Sequence, residues 1–93
     1  MNLINTWLAA EESLGHNQAD AIRRMNSTLN CKYTSSRINE WRNGVRSPDS
    51  QAHQYLLWNS IVYAMTQADP LFAKHLPDPL GFAWSLSVAL KLP

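Results

Sequence analysis

The stretch TSSRINEWRNG, Thr34 to Gly44, decides how this chain is read. A hydroxyl residue at its start and a glycine at its end bracket a short helix. A Thr side chain can accept from an early backbone N–H, and Gly tolerates the left-handed conformation that stops a helix. On a wheel of about 100° per residue, Ile38 and Trp41 mark one side, while Ser36, Asn39, Glu40 and Asn43 lie nearly opposite. Arg37 and Arg42 fall on the two shoulders. Such a helix offers a strip of short hydrogen-bonding side chains between two cations. That pattern suits a DNA major groove, where the strip meets base edges and the shoulders reach phosphates.

Outward from this stretch, the charge distribution points the same way. The net charge of the 93 residues is only +1. Residues 21–46, however, hold Arg23, Arg24, Lys32, Arg37, Arg42 and Arg46 against Glu40 alone. Six of the eight basic residues therefore fall in about a quarter of the chain, and a concentrated positive patch attracts polyanions whatever the total charge is. An apolar fraction of 45% with four tryptophans implies a folded domain rather than a disordered chain. The N-terminal residues do not look like a secretory signal, and no stretch reaches the roughly 20 apolar residues that span a bilayer. With a single cysteine, Cys31, no internal disulfide is possible, which suits a cytoplasmic protein.

Flanking segments complete a helical domain. Leu3, Trp7, Ala10 and Leu14 share one face of a first helix that Gly15 ends. Asn17 caps a second, with Asp20 in its first turn and Ile22, Met25 and Leu29 inward, ending near Asn30. Thr34 caps the third. Ser47 and Pro48 open a fourth, running to about Thr66, and Pro70 to His75 make a short fifth. After the turn-rich LPDPLG, Phe82, Trp84, Leu86, Val88, Leu90 and Leu92 alternate with small residues and Lys91, which predicts a strand, with a packed C-terminal helix as the alternative because Ala and Leu are good helix formers. A lone strand needs a mate, so the expectation is a homodimer in which Phe82, Trp84, Leu86, Val88 and Leu90 pair across copies. The expected organisation is a DNA-binding part over residues 1–66 and a dimerisation segment over residues 67–93.

NQADAIRRM (Asn17 to Met25) followed by YTSSRINEWRNGVRSP (Tyr33 to Pro48) resembles the helix-turn-helix of lambdoid phage repressors and Cro proteins. Gln18 and Ala19 match the start of that motif's second helix, and Ile38, Trp41, Asn43 and Gly44 match its recognition helix and end. Two features depart from the family. STLNCKY is longer than the usual turn, and Arg42 stands where the family commonly has Glu. The resemblance implies a lambda-repressor-like domain, so the expected fold is mainly α, with five helices followed by the strand that the alternation predicts. It also implies that Gln18, Thr34 and Asn43 contact phosphates, that Arg46 follows the backbone in a basic link, and that Ser35, Ser36 and Glu40 read bases. The wheel adds Asn39 to the readers and the shoulder residues Arg37 and Arg42 to the phosphate contacts.

Enzyme chemistry finds little support. His16, His53 and His75 are far apart in sequence, the three glycines form no phosphate-binding loop, and the seven acids are scattered. Neither catalysis, a cofactor nor a metal is expected. The leading expectation is a cytoplasmic, homodimeric phage or prophage regulator that represses from an inverted-repeat operator in double-stranded DNA. An antitoxin using its C-terminal segment to hold a toxin is one alternative. A helix-turn-helix reused as a protein-binding adaptor is another.

Overall fold

Asn2 opens the fold by accepting from the N–H groups of Ile4 and Asn5 at 2.9 and 3.3 Å, which caps α1 (Leu3–Ser13). The computed structural model describes residues 2–75 and 79–90. Gly15 follows α1 at φ +87°, and Asn17 then starts α2 (Gln18–Leu29). Here the Asn17 side chain accepts from the Asp20 N–H at 2.9 Å, while the Asp20 carboxylate accepts from the Asn17 N–H at 3.4 Å. This reciprocal box satisfies two orphan donors with two short side chains. Asn30 ends α2 in the left-handed region at φ 55°, a conformation that Asn tolerates better than most residues.

Thr34 caps α3 (Ser35–Arg42) through its hydroxyl, which accepts from the Arg37 N–H at 3.2 Å. Gly44 closes the turn at φ +75°. The start of α4 (Ser50–Ala68) differs from the expectation of a Ser47 cap with Pro48 inside the helix. Asp49 is the cap, accepting from the Ala52 N–H at 2.9 Å. A carboxylate at the positive end of the helix dipole adds charge attraction that Ser47 lacks. The helix also runs two residues past Thr66, to Ala68. The short α5 (Pro70–His75) lies where expected.

The largest correction concerns the C-terminus. Residues 79–90 form a helix, α6 (Pro79–Leu90), rather than the expected strand, and six helices with no strand make up the described residues. Leu92, the last large residue of the expected alternation, and residues 76–78 of the expected turn lie outside them, while the rest of that turn, Pro79 to Gly81, belongs to α6. Between the large residues stand Ala83, Ala89, Ser85 and Ser87, which are compatible with a helix. A helix also satisfies its own backbone, so no second strand is needed. Trp84 settles against Tyr55 of α4 with ring centroids 5.8 Å apart, a long-range contact that local alternation does not encode.

The core gathers around α4, which touches α1, α2, α5 and α6, while α1 also packs on α2 and α3. Trp7, Met25, Ile38 and Leu56 are fully buried, each worth roughly 1.5–3 kcal/mol in apolar transfer. Trp7 meets the edge of Tyr55 at 6.4 Å. The polar strip of α3 is thus carried on a helix whose inner face, Ile38 and Trp41, belongs to the main core.

Candidate nucleic-acid interface

On α3, Ile38 and Trp41 are buried, whereas Ser35, Ser36, Asn39 and the capping Asn43 are exposed. Among the described residues nothing covers the strip, which is open to solvent. Thr34 and Arg46 are exposed as well, and Gln18, Arg37, Glu40 and Arg42 are half-buried. All ten residues expected to read bases or hold phosphates therefore lie at the surface in whole or in part.

Polar contacts fix both ends of α3. At the N-terminal end, Asn26 of α2 binds the backbone of Tyr33 twice. Its Nδ2 donates to the Tyr33 carbonyl at 2.9 Å, and its Oδ1 accepts from the Tyr33 N–H at 2.8 Å. The Tyr33 ring stands edge-on to Trp41 at 4.9 Å, and its hydroxyl donates to Asp49 at the head of α4. Burial pushes the Tyr33 phenol up, and the hydrogen bond to Asp49 adds to it. The same hydroxyl, with the Ala52 N–H, holds the Asp49 carboxyl below the usual carboxylate range. The long link of residues 30–34 is consequently braced from α2, α3 and α4 at once. Cys31, half-exposed in this link, directs its thiol at the Leu29 carbonyl and at Gln51.

At the other end, Asn2 Nδ2 donates to the Arg42 carbonyl at 3.1 Å, tying α1 to the last turn of α3. Arg42 Nη2 reaches Gln18 Oε1 at 3.5 Å, the outer limit of a hydrogen bond. Its Nε is buried with no partner among the described residues. The first residue of α2 and the last of α3 therefore face each other across a groove that His16 and Asn17 also line. The contact ties the head of α2 to the last turn of α3. With Arg42 as donor, this is a cation–amide contact.

Glu40 sits between two cations, 3.4 Å from Arg37 Nε and 3.7 Å from Arg46 Nε. Its side chain is 35% exposed, so each pair is worth at most a few tenths of a kcal/mol. The arrangement gathers two guanidinium groups beside the strip and balances only one of them.

Elsewhere the positive cluster is smaller in space than in sequence. Arg23 pairs with Asp20 at 2.9 Å. Arg24 Nε reaches Glu11 Oε2 at 2.9 Å, and His16 Nδ1 meets the same oxygen at 3.0 Å. Glu11 is fully buried, and burial pushes its carboxyl up while Arg24 and His16 oppose the shift. Sequence patterning did not find this cluster, because its partners lie five and 13 residues from Glu11 with two helices involved. The signal available was a weak one: an acid at position 11, one residue after the inward-facing Ala10.

The residues expected to pair copies are scattered by the helical winding of α6. Phe82, Val88 and Leu90 are exposed, whereas Trp84 and Leu86 are half-buried and Trp84 rests on the chain's own core. No group of three or more His, Cys, Asp or Glu among the described residues could hold a metal ion. No helix among them is long and apolar enough to cross a membrane. No protein-family model, curated protein or solved structure matches this chain.

Proposed function

We propose that this chain is a sequence-specific, double-stranded DNA-binding transcriptional regulator, of the kind exemplified by phage Cro proteins and repressors. One observation carries the reading: α3 buries Ile38 and Trp41 and leaves Ser35, Ser36, Asn39 and Asn43 open, with Arg37, Arg42 and Arg46 around them. In the major groove, short side chains allow close approach and can address base edges. Asn39 would read bases by its amide, and the two serines by their hydroxyls. Glu40 has two roles open to it, accepting from cytosine N4 or holding Arg37 and Arg46 toward phosphates. Gln18, Thr34 and Asn43 would contact the backbone at the margins. Two copies on an inverted repeat would set their reading helices about one DNA turn apart, roughly 34 Å.

Selection of bound duplexes from a random pool in dilute buffer tests the reading. Enrichment of a single inverted-repeat motif is the expected result. Recovery of the starting pool unchanged would refute it.

A further inference from the structure

The outer side of α4 carries a second pattern that DNA binding does not use. Leu57, Ile61, Ala64 and Ala68 recur at intervals of four, three and four residues, the spacing of a coiled-coil seam. Leu57 is half-buried, and Ile61, Ala64 and Ala68 are exposed, as is the neighbouring Met65. The residues that enter the chain's own core, among them Ala52, Tyr55, Leu56 and Val62, lie on the other side of the helix. The 19 residues of α4 include no Asp, Glu, Lys or Arg, and neither do the 12 of the adjoining α6. This face gives a charged partner nothing to pair with, and it can be covered without burying an unpaired charge.

The sizes along the seam select the occupant. Two large residues come first and two alanines follow. If a second α4 runs antiparallel about a two-fold axis centred between positions 61 and 64, Leu57 meets Ala68 of the second copy and Ile61 meets its Ala64. Each large side chain then faces a small one, and the two-fold repeats every contact. A parallel arrangement would set large against large and leave the alanines facing each other across a gap.

We propose that the chain forms a symmetric dimer through antiparallel packing of α4 on α4, with the Leu57–Ala68 seam at the axis. This moves the contact from the C-terminal segment to the helix before it. The proposal does not rest on the DNA reading, since a dimer that ignores every oligonucleotide leaves it standing. Sedimentation equilibrium of the full chain is expected to give twice the 10.6 kDa of one copy. Ile61→Lys, at an exposed position, should return the mass to one copy with an unchanged helical circular dichroism spectrum. In a Cys31→Ser background, Ile61→Cys combined with Ala64→Cys should cross-link two copies on oxidation. A wild-type chain that stays single at every concentration, or floats with phosphatidylcholine vesicles, overturns the proposal. So does a dimer that survives Ile61→Lys and dissociates with Val88→Lys.

Discussion

The two halves of this molecule solve the same problem of stability with different materials. Residues 2–49 hold their helices with side-chain caps and long-range polar ties: Asn2 to Arg42, Asn26 to Tyr33, and Glu11 to Arg24 and His16. Residues 50–75 and 79–90 place two helices without Asp, Glu, Lys or Arg against each other, with Trp84 on Tyr55 as an aromatic contact between them. A polar network fixes geometry to fractions of an ångström, which the proposed reading of base edges requires. An uncharged, loosely specified surface instead tolerates repacking, and its exposed Ile61, Met65, Phe82 and Val88 suit contact with another apolar body.

The sharpest way to break this contrast is to remove bulk on each side of it. Trp41→Ala empties a site that is 6% exposed and should cost about 3–5 kcal/mol in urea unfolding. Val88→Ser, at 55% exposure, should leave the midpoint of a monomeric sample nearly unchanged. A comparable loss from both would show that the C-terminal helix is as deeply committed as the core. Next in size, Asn26→Ala strips the Tyr33 backbone of two partners, and about 1–3 kcal/mol is expected. Hydrogen exchange should then accelerate across residues 30–36 and leave α6 as it was.

The two kinds of surface side chain around α3 allow a finer test by binding. Arg46→Ala should weaken every duplex alike and reduce the salt slope by about 1, whereas Asn39→Ala should alter which duplex is preferred. Equal loss on all sequences from both variants would remove the distinction between readers and anchors. The smallest effect concerns acid. Asp49 is held below its ordinary value of 3.8, chiefly by the Tyr33 hydroxyl, so it contributes stability above that pH. The contribution fades as pH falls through the lowered folded value. Tyr33→Phe should therefore narrow its stability gap to the wild type as the solution is acidified below about pH 4, as thermal melts at a series of pH values can check.

Much of the first half could be read from the residues, because its signals are local. Asn17 with Asp20, Thr34, Gly15 and Gly44 mark helix ends through contacts within a few positions, and each stands at the boundary it implied. The surface placement of the α3 strip followed from Ile38 and Trp41 alone. The second half misled for a physical reason. When the small residues between large ones are Ala and Ser, strict alternation fits a strand, but it fits equally a helix that is apolar all round. A distant residue, Tyr55, meets Trp84 in the helical arrangement, and alternation within the segment cannot reveal it. Buried Glu11 was hidden in the same way, since its cation partner lies 13 residues on in another helix.

The link that carries Cys31 has a practical corollary. The sequence holds one thiol, half-exposed and four residues before the first turn of α3. A maleimide dye attached there needs no engineered position and sits beside the strip rather than on it. Its emission would register whatever molecule comes to rest against that helix, in real time and on the unaltered polypeptide.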